Sequence, residues 1–138
     1  MNIVDSSGWL EYFSDGPNAE RFAAPLKRLD DLIVPTITLY EVFKVVLRER
    51  NEDMALQAVA LMQQARVVDL TPEIALEAAK YSTEQKIPMA DSIILATARL
   101  YGATVWTQDE DFSGLPDVRF YQKKKLTPTI KSKSSSSI

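Results

Sequence analysis

Five short apolar runs, each parted from the next by helix-like patterns or by a polar loop, are what most constrain this chain. They lie at residues 1–4, 32–34, 67–70, 103–106 and 118–121, and none is joined to the next by a tight hairpin turn. Strands that cannot pair through hairpins need crossover helices, and crossovers produce parallel sheets covered on both faces. The spacing therefore predicts an α/β fold with three layers, α/β/α, around a mostly parallel sheet of four to five strands.

The helical segments have readable ends. A helix over residues 6–13 carries Trp9, Leu10, Tyr12 and Phe13 and stops at Asp15-Gly16-Pro17. Asn18 is placed to cap a second helix bearing Phe22, Leu26 and Leu29. From Thr36 a long helix repeats Leu39, Val42, Phe43, Val46 and Leu47 at a 3.6-residue period. A further helix is expected over 52–65. Thr71-Pro72-Glu73 then combines a cap, a first-turn proline and an acid, which is a strong helix start. Ile87-Pro88 breaks that helix, and the next runs from Met89 to a C-capping Gly102.

The chain has 138 residues, which fits one domain, and it contains neither histidine nor cysteine. Disulfides, thiolate zinc sites and thiol nucleophiles are excluded, and so are Ser-His-Asp triads and imidazole acid–base pairs. Hydrolytic chemistry must then use carboxylates, hydroxyls, lysines or a metal held by oxygen. No apolar run is long enough to cross a bilayer, and Asn2 and Asp5 stand where a signal peptide would be basic. A soluble cytoplasmic protein is expected. Charge is split unevenly: residues 1–117 hold 10 basic and 19 acidic side chains, whereas residues 118–138 hold Arg119, five lysines and no acid. The expected organisation is a globular unit over residues 1–121 and a flexible basic, serine-rich tail over 122–138.

Four acids fall where chemistry could gather. Ligand sites in open parallel sheets form beyond the carboxyl ends of the strands. Asp5 closes the first strand, Asp109 follows the fourth, and Glu41 lies in the first turns of the helix after the second. Those three are expected to converge, while Asp91 opens a helix that strand order alone does not bring there. Each has a purely local reading too. Asp5 can be a helix cap, Thr38-Leu39-Tyr40-Glu41 a capping box, Asp91 a partner of a helix dipole, and Asp109 the head of an Asx turn.

Taken together, Asn2-Ile3-Val4-Asp5-Ser6-Ser7, Glu41 on a long helix, Ala90-Asp91-Ser92-Ile93-Ile94-Leu95-Ala96-Thr97-Ala98 and Thr107-Gln108-Asp109-Glu110-Asp111-Phe112 resemble PIN-domain ribonucleases. The resemblance is to the VapC-type toxins of toxin–antitoxin pairs in particular, and it spans residues 1–121. It implies a PIN-like fold and a metal-dependent endoribonuclease that leaves 5′-phosphate and 3′-hydroxyl ends. Asp5, Glu41, Asp91 and Asp109 match the family's acidic metal-site positions, with Asp111 as a second-rank ligand and Ser6 and Thr107 as supporting hydroxyls. Oxygen-only ligands suit Mg²⁺ or Mn²⁺. The implied partners are an RNA substrate, a VapB-like antitoxin peptide in an aromatic-lined groove and a second copy in a homodimer. Two other readings remain open at this stage, a non-catalytic PIN-like binding module and a carboxylate–Mg²⁺ phosphatase. A phosphatase of the haloacid dehalogenase kind would want Asp-x-Asp after its first strand, where this chain has Asp5-Ser6-Ser7.

Overall fold

A computed structural model of the chain describes residues 1–124. Five strands form one sheet in the order β3-β2-β1-β4-β5, from Arg66–Val68 (β3), Leu32–Pro35 (β2), Asn2–Val4 (β1), Thr104–Thr107 (β4) and Val118–Phe120 (β5). Every pairing is parallel, so the sheet is wholly rather than mostly parallel. The helices are α1 (Ser6–Phe13), α2 (Ala19–Leu26), α3 (Thr36–Glu49), α4 (Glu52–Met62), α5 (Pro72–Gln85) and α6 (Met89–Tyr101). None of them is long and apolar enough to cross a membrane.

The alternation of side chains along each strand divides the core into two layers. Val4, Leu32 and Val34 pack with Trp9, Phe22, Val42, Val46, Ala55 and Met62 from α1 to α4. Ile3, Ile33 and Val105 face the other way, onto Ile74 and Ala78 of α5 and Ile93 to Ala98 of α6. From β1 the chain steps outward to β2 and β3 over one face, then returns over the opposite face to β4. Reversing both the direction and the face preserves the right-handed crossover that parallel strands require. The reversal leaves β1 and β4 as neighbours whose carboxyl ends border a topological switch point.

Several expected boundaries move. The third strand is Arg66–Val68, two residues shorter at its far end than the apolar pattern implied, and Asp69 and Leu70 lie beyond it, exposed. The helix expected to reach Ala65 ends at Met62. Thr71 caps α5 by accepting from the Ile74 amide, as its sequence predicts, and Gly102 ends α6 at φ +63°. Asn18 makes no side-chain cap to α2. Its amide group is used elsewhere, in the functional region described below. The basic tail falls, from residue 125 onward, outside the described residues.

Gly8, on the inner face of α1, lets that helix lie close against β1. A Cβ there would meet Val4 and come within 2.8 Å of Phe22 Cδ1. Alanine at this position gains up to about 1 kcal/mol in helix propensity. Overpacking against two buried side chains costs about 1–3 kcal/mol. Gly8→Ala is therefore expected to lower stability in urea unfolding by about 1 kcal/mol; equal or greater stability would refute this account of the packing.

Candidate metal centre

The carboxyl edge of the sheet collects acids because three helices begin there. α1 starts directly after β1 and α3 directly after β2. α6 packs on the sheet and enters β4 through only Gly102 and Ala103, so it runs antiparallel to that strand and its first turn lies at the same edge. Asp5 precedes α1, Glu41 lies in the second turn of α3, and Asp91 lies in the first turn of α6. Asp109 and Asp111 come from the loop after β4. The Asp5 amide donates to the Trp106 carbonyl at 3.2 Å and holds the ends of β1 and β4 together.

Asp5 is almost fully buried and heavily hydrogen-bonded. Its Oδ1 accepts from the Gly8 amide at 3.0 Å and from the Ser7 hydroxyl at 2.7 Å, while Oδ2 accepts from the Thr107 hydroxyl at 2.7 Å. Thr107 Oγ1 in turn accepts from the Asp109 amide at 2.9 Å, so one hydroxyl ties the first acid to the loop that carries the fourth. Burial pushes the Asp5 carboxyl up to about 6 despite these donors. A carboxylate offers about four acceptor sites, so three bonds still leave Asp5 capacity for one more ligand.

The carboxylate oxygens of Asp91, Asp109 and Asp111 lie within 4.8 Å of one another. Asp91 is pushed up to about 8, first by burial and then by the negative charges of Asp109, Asp5 and Asp111. Glu41 is also raised, by burial above all and by Asp109, against the opposing pull of the Ser6 hydroxyl and Lys44. Its Oε1 is buried with no hydrogen-bond partner. An orphaned acceptor beside clustered like charges is costly unless a cation occupies the space. The donor set is all oxygen and suits a hard divalent ion such as Mg²⁺ or Mn²⁺. The residues present thus fit the metal that the sequence resemblance implies.

The local readings turn out to coexist with this cluster in two cases and to fail in one. Asp5 does cap α1, and Asp109 Oδ1 does accept from the Asp111 amide at 2.9 Å in an Asx turn. The capping box does not form, because α3 already begins at Thr36 and Thr38 lies inside it with its hydroxyl unpartnered. Glu41 is left without a local duty.

Four residues beside the acids have no role in the sequence reading of this site. Ser7, rather than Ser6, is the hydroxyl bonded to Asp5, and it also accepts from the Gln108 amide at 3.2 Å. Buried Glu11 accepts from the Asn18 amide at 2.7 Å and from Gln108 Nε2 at 3.2 Å. Asn18 Nδ2 reaches Gln108 Oε1 at 3.0 Å and the Gln122 carbonyl at 3.1 Å. This polar clamp grips the residue between Thr107 and Asp109. A polar residue on an otherwise apolar stretch is the most that local pattern could offer, and chain order separates Asn18 from Gln108 by 90 positions.

The raised carboxyls make a signed prediction. A carboxyl whose folded pKa exceeds its unfolded value stabilises the fold fully below the unfolded value and loses that contribution as pH rises through the folded one. For Asp91 that window runs from 3.8 to about 8, and for Asp5 from 3.8 to about 6. Metal-free protein is expected to lose thermal stability between pH 5 and pH 8. Saturating Mg²⁺ or Mn²⁺ should flatten that slope, and Asp91→Asn should flatten it without metal, each kcal/mol recovered being worth roughly 4 °C in Tm. A metal-free Tm that rises across this range would contradict the burial argument.

The model of the PIN domain family matches residues 3–118. No curated protein matches the chain significantly. Among solved structures, the fold is similar to a toxin–antitoxin complex from Klebsiella pneumoniae, with a TM-score of 0.73 at 24% identity, covering 88% of this chain and 99% of that one. It is also similar to VapC20 of Mycobacterium tuberculosis, described as a sarcin-ricin loop cleaving toxin, with a TM-score of 0.69 at 17% identity over 84% of this chain and 95% of that one. A third is FitAcB from Neisseria gonorrhoeae, with a TM-score of 0.69 at 24% identity over 88% of this chain and 97% of that one. The wholly parallel sheet, the acids at its switch point and a family match that spans most of the sequence lead to one assignment: the chain belongs to the PIN domain family.

Proposed function

We propose that the protein is a metal-dependent endoribonuclease, the toxin of a toxin–antitoxin pair, which hydrolyses RNA phosphodiester bonds. The observation that carries this reading is the crowding of Asp91, Asp109 and Asp111 at the sheet edge, with Asp5 and Glu41 close enough to raise or be raised by them. Asp5, Glu41, Asp91 and Asp109 would hold the ion, with Asp111 joining them. A bound Mg²⁺ or Mn²⁺ supplies charge neutralisation at the scissile phosphate and a lowered pKa for the attacking water.

The chain's own residues set the conditions for that chemistry. Thr107 and Ser7 fix the Asp5 carboxylate in one orientation, and Thr107 fixes the Asp109 backbone at the same time. Burial and the neighbouring carboxyls favour the protonated form of Asp91, so an ion loaded into the site would compete with that proton. The Ser6 hydroxyl favours the ionised form of Glu41. The solved neighbours include toxin–antitoxin complexes, which supports a VapB-like antitoxin as the controlling partner. A cleft of about 230 Å³ beside Trp9, Tyr12, Phe13 and Leu61 offers an apolar seat for a segment of such a partner. A homodimer is the expected assembly, by family resemblance.

Cleavage of a pool of structured cellular RNAs, with Mg²⁺, Mn²⁺ or EDTA, tests the reading. Site-specific cuts should require the metal and end in 5′-phosphates. Asp91→Asn should reduce cleavage at least about 100-fold while the fold is kept, and Thr107→Val should reduce it by about 10–100-fold, the usual cost of losing a group that orients a ligand. Wild-type cutting by Asp91→Asn would remove that residue from the site. Failure of the folded, antitoxin-free protein to cut any RNA in the pool would count against the nuclease itself.

A further inference from the structure

Cations and aromatic rings alternate across β4, β5 and α2 at the outer edge of the sheet, on a body whose first 117 residues are strongly acidic. Arg119 lies over the Trp106 ring at 4.8 Å, and Trp106 and Tyr121 have ring centroids 6.2 Å apart. The Arg21 guanidinium of α2 lies over the Tyr121 ring at 4.9 Å. Just beyond β5 a cleft of about 330 Å³ is lined by Asn18, Arg21, Tyr121, Gln122, Lys123 and Lys124. The ion pairs among the described residues are Arg28–Asp31, Arg48–Glu49 and Lys80–Glu77. Arg21, Arg119, Lys123 and Lys124 therefore have no carboxylate partner among those residues, and all four are exposed.

The cleft adjoins the acidic edge through direct bonds. The Tyr121 amide donates to the Thr107 carbonyl at 2.9 Å, and Thr107 is the residue that bridges Asp5 and Asp109. Asn18 lines the cleft and bonds to Gln108, one position before Asp109. Asp109 is two residues from Thr107, so its Cα is within roughly 7 Å of that strand end. The cleft and the acidic edge are thus built on neighbouring strand ends.

We propose that this cleft holds the single-stranded RNA on one side of the scissile bond, with phosphates on Arg21, Lys123 and Lys124 and a base beside Tyr121, which lines it. The inference rests on the endoribonuclease reading above. Unpaired cations spaced by aromatic rings suit a flexible chain of phosphates and π-faces, and single strands are held by this combination. The acidic body repels a polyanion, and cations gathered beside one cleft favour that cleft as the place where the strand lands.

The test uses the full chain and a fluorescein-labelled single-stranded RNA, with binding read by anisotropy in EDTA at several salt concentrations. Lys123→Ala/Lys124→Ala is expected to weaken binding about tenfold at about 0.1 M salt and to reduce the salt slope by about 1.4, at about 0.7 for each phosphate no longer neutralised. Arg21→Gln should weaken it several-fold. Arg48→Gln, which replaces a cation already paired with Glu49, should bind as wild type does. In Mg²⁺ or Mn²⁺ the cleft variants should raise KM and leave kcat nearly unchanged. Binding and KM equal to wild type in the cleft variants, or no RNA binding by wild type, would overturn the proposal. Polyglutamate of equal charge competing as well as RNA would overturn it in favour of acidic peptides. Failure of the nuclease reading looks different: RNA would bind through the cleft with the expected salt slope, and no metal would bring about cleavage.

Discussion

Crowded like charge is the constraint around which the rest of the structure is arranged. Asp91, Asp109 and Asp111 bring their oxygens within 4.8 Å of one another, and Asp5 and Glu41 add two more carboxyls at the same edge. Burial raises Asp5 and Asp91 far enough that neither is a settled anion under all ordinary conditions. Such a cluster opposes folding in the absence of a counter-charge, so its geometry has to be imposed by the surrounding structure. The two core layers, with Ile3, Ile33 and Val105 on one face and Val4, Leu32 and Val34 on the other, supply that support.

Backbone chemistry does the imposing at close range. Asp5 caps a helix and Asp109 closes an Asx turn, each through one carboxylate oxygen, and the acceptor capacity left over gives room for an ion. Structural and functional roles therefore compete less than a residue-by-residue reading suggests. Thr107 concentrates the effect, since a single hydroxyl donates to Asp5 and accepts from the Asp109 amide. The clamp of Glu11, Asn18 and Gln108 holds the next residue in the loop. Position in this site is thus fixed by hydroxyls, amides and backbone, with the clustered acids free to respond to what binds.

Much of this was legible in the sequence, for identifiable reasons. Asp5, Glu41 and Asp109 could be gathered at one edge because each stands near the end of a parallel strand, and Val4, Pro35 and Thr107 close those strands. Asp91 required the family resemblance, although topology contained the answer: a helix that enters a parallel strand through two residues must begin at the strand's carboxyl edge. Glu41's capping box failed because helix start depends on where β2 releases the chain. That release comes at Pro35, before Thr38 could act as cap, and leaves Thr38 inside the helix. The roles of Ser7 and of the Glu11–Gln108–Asn18 clamp were not legible, since the bonds that tie them to the loop after β4 span about 90 or more positions and no local pattern announces a long-range hydrogen bond. Residues 67–70 look uniformly strand-like, yet pairing with β2 ends at Val68 because β2 itself ends at Pro35.

For an acidic centre to act on a polyanion, as proposed, an electrostatic contradiction has to be met, and cations at the outer edge of the sheet would meet it in space. Neutralising the carboxylates inside the site removes local repulsion but leaves the rest of the acidic surface unfavourable to an approaching phosphate chain. Segregating unpaired cations at one border of the site gives the field a direction, so that an anion is drawn to the border before it meets the centre. Here that border is built on the same bonds that order the site: Tyr121 on Thr107, and Asn18 between Gln108 and Gln122. In the proposed nuclease, a strand held at this border would be retained beside the acids, which lowers KM without requiring any change in the acidic cluster.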